Sequence, residues 1–181
     1  MGDVANVISG PAQLFVAPDD GSVAIPTLTG TATDFNAFAQ PGFTDKGIEF
    51  DYASTDKDID VDELTSPVDV LITAEKLTIT VAMAETTLQN LFYSISGGTL
   101  VTANQLTIGG KVRPSRFILG VMGPAPTTNL IRQILVYRAV PVGTVKMHYQ
   151  RKDKLLYSAQ FKALGRSDFA NGANMCKIQD F

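Results

Sequence analysis

Residues 46–83 read KGIEFDYASTDKDIDVDELTSPVDVLITAEKLTITVAM, and this stretch decides the fold. Ile48, Phe50 and Tyr52 alternate with Glu49 and Asp51, the period-two pattern of a strand with one face buried. Ile59 and Val61 then alternate with Asp58, Asp60 and Asp62. After the Ser66-Pro67 break, Val68, Val70 and Ile72 resume the pattern, and Leu77, Ile79, Val81 and Met83 continue it with Thr78 and Thr80 opposite. Two long acid-faced strands flanking a turn are predicted.

Working outward, Gln13–Ala17 is a first strand closed by the Pro18-Asp19-Asp20-Gly21 turn. From Gly21 to about Gln40 the chain is polar apart from a few residues such as Phe35 and Phe38. So long a structureless stretch predicts an arm that orders on a partner. Downstream, Thr86 and Gln89 fit a capping box. Leu88, Leu91, Phe92 and Ile95 follow at helical spacing and Gly97-Gly98 stops the run, so a helix over about 86–96 is predicted to pack on a sheet. Strands are expected again at Arg116–Met122, Ile131–Val140, Thr144–Gln150 and Leu155–Leu164. The pattern is that of a mainly β protein, an antiparallel sandwich or barrel with one flanking helix.

Composition agrees with that class. The 181 residues are 45% hydrophobic and 18% charged, with 45 Val, Ile and Thr, which favour pleated sheets. A chain of this length buries roughly 70% of its unfolded surface and needs no staple. Its single cysteine, Cys176, excludes a disulfide framework. No Lys or Arg occurs in residues 1–45, which leaves a signal peptide without its basic start, and no apolar run is long enough to cross a bilayer. A soluble chain without membrane insertion is expected.

Charge is divided unevenly. Residues 1–99 carry 15 acids and 3 bases, whereas residues 100–181 carry 3 acids and 12 bases. Either the halves interleave and cancel locally, or they form complementary faces that meet in an assembly.

Signals for chemistry are weak. His148 is the only histidine and has no acid or nucleophile at a telling spacing. Cys176 reads as a small packed or surface thiol. Asp56, Asp58, Asp60 and Asp62 imitate a calcium loop, but Val61 stands at the turn glycine and Pro67 at the bidentate acid. On a strand such acids instead form a row spaced about 7 Å apart. Gly109-Gly110-Lys111-Val112 resembles a phosphate loop, yet Gln105 replaces its first glycine and Val112 its Ser/Thr, so it reads as a turn. No enzyme, cofactor or metal is expected. Absence of Trp and only 5 Tyr lower the case for a binding module.

Three segments in order resemble a known family: Pro41-Gly42-Phe43-Thr44-Asp45-Lys46-Gly47-Ile48, then Ile59-Asp60-Val61-Asp62-Glu63 to Ser66-Pro67-Val68, then Leu77-Thr78-Ile79 through Leu88-Gln89-Asn90-Leu91. Together with Tyr137–Pro141 and Phe161–Leu164 they look like the major tail tube proteins of long-tailed, siphovirus-type bacteriophages. The resemblance implies one tail-tube domain over 1–181, a sandwich or barrel that forms hexameric rings stacked into a tube. It implies a virion protein assembled in the host cytoplasm, with the tape-measure, tail terminator and tail-tip proteins as partners and DNA in transient passage. Such a tube lumen is commonly negative, and some of Glu49, Asp51, Asp58, Asp60 and Asp62, read by their alternation as one row on a single face, are its candidate lining. The competing reading pairs them with bases of an adjacent subunit. By the same resemblance, residues 21–46 form an inter-ring arm, with Phe35, Phe38, Pro41, Gly42, Phe43, Thr44 and Gly47 as its candidate contacts, and 167–181 are a tail of open role. Alternatives are the inner tube of a contractile tail or secretion system, and a virion decoration or binding module.

Overall fold

A computed structural model describes residues 10–62, 65–110, 113–126, 130–147, 155–170 and 172–181. Nine strands are formed among them: β1 (Gln13–Pro18), β2 (Thr44–Ile59), β3 (Asp69–Met83), β4 (Gly98–Thr102), β5 (Gln105–Ile108), β6 (Phe117–Pro124), β7 (Ile131–Val142), β8 (Tyr157–Ala163) and β9 (Cys176–Asp180). One α-helix, α1 (Leu88–Ser94), lies between β3 and β4. All pairings are antiparallel; the main sheet runs β1-β6-β7-β8-β3-β2, and β4-β5 is a separate hairpin. The protein is thus mainly β, with sandwich-like sheets and no closed barrel.

β7 explains how one sheet makes two layers. One edge of this strand pairs with β6, while the other is divided between β9 at Arg132–Val136 and β8 at Ala139–Val142. A register shift between Phe117 and Leu119 skips a residue of β7, so Val136 and Ala139, three apart, both face the same core. Strands that pass between layers commonly turn at such irregularities. The interior holds Leu14 and Val16 of β1, Phe117, Leu119 and Val121 of β6, and Ile79, Val81 and Met83 of β3. Along β8, Tyr157, Ala159, Phe161 and Ala163 point inward and Ser158, Gln160 and Lys162 outward.

α1 closes the core. Leu91 is buried, and Leu88, Phe92 and Ile95 pack half-buried against the same cluster. Its N-cap is Thr87, one residue after the expected position; the Thr87 hydroxyl accepts from the Asn90 amide at 3.2 Å. The helix ends at Ser94 rather than at Gly97, since Gly98 already belongs to β4. No helix among the described residues is long and apolar enough to cross a membrane.

Segment 21–40 corrects the expectation of an extended arm. It lies on the outer face of β1-β6-β7 and forms a second core, in which Leu28, Phe35 and Phe38 cover Phe15, Ile118, Leu135 and Tyr137. Phe35 stacks on Phe15 at 4.9 Å and meets Phe38 edge-on at 5.5 Å. A Cβ at Gly120 would come within 2.4 Å of the Phe35 ring, so glycine there is what admits the aromatic. The polar residues are equally committed. Thr31 caps a 3-10 turn, Ala32–Phe35, and the Asp34 carboxylate accepts from the Thr29 amide at 2.8 Å and hydroxyl at 2.6 Å. Gln133, fully buried on β7, accepts from Gly30 N–H and donates to the Thr31 carbonyl.

Partial burial works to raise the Asp34 pKa, but the hydrogen bonds from Thr29, Gln133 and Thr31 outweigh it and hold the group at about 2. A carboxyl depressed on folding contributes stability above its unfolded pKa, and that contribution disappears as pH falls through the folded value. Asp34→Asn should therefore lower the urea midpoint at pH 7. The gap to wild type should narrow between roughly pH 4 and pH 2; a gap independent of pH would show that the carboxylate's charge is not what the turn uses.

The C-terminal residues, left open by sequence, fold back as a strap. Arg138 and Arg166 both pair with the buried Asp19 carboxylate, and Arg166 also forks onto Asp168. Phe169 stacks on Tyr137 at 4.1 Å, and β9 is fixed at its far end by a two-bonded Arg132–Asp180 pair. The expected strand Thr144–Gln150 is not formed at 144–147, and His148 lies outside the described residues.

Candidate functional site

The longest described strand, β2, runs for nearly half its length outside the body. β2 and β3 pair from Thr44/Met83 to Ile59/Asp69, interrupted by two bulges, but only Thr78–Met83 of β3 also pairs with β8. Beyond that point the two strands continue alone as a ribbon. Every described residue of Asp51–Asp62 and Thr65–Lys76 is exposed, on both faces. From Ala53 to Ile59 the free part alone is about 20 Å long.

An isolated two-stranded ribbon is marginal in water. This one also exposes large apolar side chains: Tyr52 at 57%, Val70 at 52% and Ile72 at 57%, with Ile59 and Leu71 beside them. Among the described residues, neither the outer edge of β2 nor the edge of β3 from Asp69 to Leu77 has a strand partner. Unpaired N–H and C=O groups along such edges are a template for another strand.

Register determines which residues share a face. Ile48, Phe50 and Tyr52 oppose Val81, Ile79 and Leu77 on the core face, and Glu49 and Asp51 oppose Thr80 and Thr78 on the other. Farther out, Thr55 pairs with Ala74 but Asp56 with Ile72, so Thr73 is the extra residue of a bulge on β3. Its hydroxyl turns back to the Thr55 carbonyl at 3.0 Å. β2 itself is uninterrupted there, so strict alternation puts Asp56 and Asp58 on the continuation of the core face, with Ile72 and Val70. Glu49 and Asp51 lie on the opposite face. Asp60 and Asp62 fall beyond β2 in the connecting turn.

The single row of five carboxylates expected from alternation is thereby corrected. Odd-numbered Glu49 and Asp51 and even-numbered Asp58 cannot share a face of one continuous strand. Tyr52 and Glu75 confirm the assignment: the phenol donates to the Glu75 carboxylate at 2.7 Å across the core face, which raises the Tyr52 pKa.

The base of the ribbon is built differently. Between Asp45, paired with Ala82, and Ile48, paired with Val81, the chain inserts Lys46 and Gly47, both left-handed at φ 64° and 79°. Such a bulge bends the strand. Just before it, Gly42 adopts φ 85° with its α-carbon against Glu85, whose carboxylate accepts from Phe43 N–H at 3.2 Å. Asn90, buried on α1, donates to the Pro41 and Glu85 carbonyls at 2.7 and 2.8 Å. Of the expected arm residues, then, Phe35 and Phe38 are core and Pro41 is buried, while Phe43 stands 80% exposed. Gly42, Phe43 and Thr44 edge a groove of about 740 Å³ whose wall includes Leu14, Pro124 and Leu130. Asn90 and Glu85 give no signal in sequence, because Pro41 and Phe43, whose backbone groups they bind, are 49 and 42 positions away.

Asp19 joins the two halves of the chain through its pairs with Arg138 and Arg166. No ion pair holds Glu49, Asp51, Asp56 or Asp58, nor Arg113, Arg116, Lys146, Lys162 or Lys177, among the described residues. Cys176 is half-buried, and burial pushes its thiol pKa up, away from a reactive thiolate. No protein-family model matches the chain, and no curated protein matches it in sequence.

Proposed function

We propose that the chain is a structural, non-enzymatic subunit that assembles head to tail with copies of itself, in the manner of the tail tube proteins it resembles. Six copies make a ring, and stacked rings make the phage tail tube through which DNA and the tape-measure protein pass. The observation that carries this reading is the free β2–β3 ribbon, with two open backbone edges and apolar side chains in water. One edge on β2 and a different one on β3 are distinct surfaces, so their pairing is heterologous and closes into a ring when the rotation permits. Strand addition of this kind gains affinity from main-chain hydrogen bonds.

The test is negative-stain electron microscopy of the purified protein, with light scattering across concentration and salt. Rings or hollow tubes are the expected result. A strict monomer under every condition, persisting after tail-tip components are added, overturns it.

A further inference from the structure

We propose that the Asp56–Asp58 face of the ribbon is the docking surface for the basic half of a second copy of the chain, and that Glu49 and Asp51 take no part in that contact. This rests on the assembly reading above and assigns its polarity.

Two features mark this face, and the second separates it from the reverse, where Leu71 and Ile59 are exposed as well. The first is apolar: Val70 and Ile72, cross-strand neighbours of Asp58 and Asp56, are more than half exposed, and they continue the line of Tyr52 and Leu77 that covers the core. The second is charge. Asp56 and Asp58 carry no base on their own face, whereas the reverse of the tip sets Lys57 opposite Leu71 and Asp69 opposite Ile59, one charge of each sign. A mixed acidic and apolar surface fits a basic, partly apolar partner. The second half of the chain is such a partner: it carries 12 bases against 3 acids, and Arg113, Arg116, Lys146, Lys162 and Lys177 have no acid paired with them among the described residues. On β9, Lys177 is exposed on one face and Ile178, 58% exposed, on the other. Burying apolar contact around a charge pair lowers the local dielectric and strengthens the pair, so the charges fix register as well as attraction.

Glu49 and Asp51 have a different setting. They sit near the ribbon's base on the face away from the core, opposite Thr80 and Thr78, with β8 rather than open solvent beyond β3. No exposed large apolar residue accompanies them there.

The experiment compares wild type, Asp56→Asn/Asp58→Asn and Glu49→Gln/Asp51→Gln by sedimentation and light scattering over a salt series. All four positions are exposed, so both variants should fold, which circular dichroism checks. Wild-type association should weaken as salt rises, because partly exposed pairs are screened. The Asp56/Asp58 variant should associate about tenfold or more weakly and lose most of that salt dependence. The Glu49/Asp51 variant should match wild type in both. Carbodiimide coupling in a mixture of isotope-labelled and unlabelled copies should join Asp56 or Asp58 of one copy to a second-half lysine of another.

If wild type assembles but the Asp56/Asp58 variant behaves identically, or both variants weaken equally, the docking assignment is overturned and the assembly reading stands. If wild type never associates, both fall.

Discussion

Phe35→Ala should cost about 3–5 kcal/mol of stability, a large part of the roughly 5–15 kcal/mol that holds a domain of this kind together. The ring is 1% exposed, stacks on Phe15, meets Phe38 edge-on and fills the space that Gly120 leaves by having no side chain. Removing it empties the centre of the second core, and the rigid sheet beneath cannot collapse to refill it. Urea unfolding should show a lower midpoint at nearly unchanged slope. Phe43→Ala is the matched control, because that ring is 80% exposed in the subunit and its loss should leave the midpoint in place. A cost below about 1 kcal/mol at Phe35 would mean that segment 21–40 does not seal the sheet. For the same reason, deleting residues 24–40 should unfold the subunit rather than merely stop its assembly.

The largest effect on assembly is expected from Val70→Lys together with Ile72→Lys. Both positions are in the free ribbon and more than half exposed, so the change should move the stability of the subunit by no more than about 0.5 kcal/mol per site. Lysines there place two charges on the apolar stripe that a neighbour must cover, and charged residues of this kind are a common protection of edge strands against pairing. The variant should remain monomeric at concentrations where wild type forms rings or larger species, with the same circular dichroism spectrum and unfolding midpoint. Undiminished assembly would remove the ribbon from the interface.

Alternation made the two long strands readable because each buries one face at its base, where Ile48 and Phe50 meet Val81 and Ile79. Beyond Tyr52 both faces are solvated and the same alternation carries no information about inside and outside. The five acids read as one row because the apolar residues change parity between Tyr52 and Ile59, whereas β2 is unbroken there and its odd and even positions point oppositely. Segment 21–40 misled for another reason: its Thr, Asp and Gly residues are typical of loops, but here they bond to one another and to Gln133, a partner more than a hundred positions away. β9, with Ile178 and Gln179 flanked by charges, has no periodic signal and is a strand only because β7 offers it an open edge. The β4–β5 hairpin was missed because its apolar residues are few and half of them face solvent.

The left-handed pair Lys46-Gly47 lies at the packed end of β2, before Ile48 and Phe50 meet the core, and a Cβ at Gly47 would meet no atom within 4 Å. The direction of the free ribbon is instead set by the body, through residues 48–51 of β2 and 78–81 of β3, the latter held by β8. In a closed ring the angle between a subunit's arm and its body determines how far each copy turns relative to the last. In the proposed assembly that angle is inherited with the sheet itself, so a change of ring diameter would require a change in the packed body rather than in a hinge.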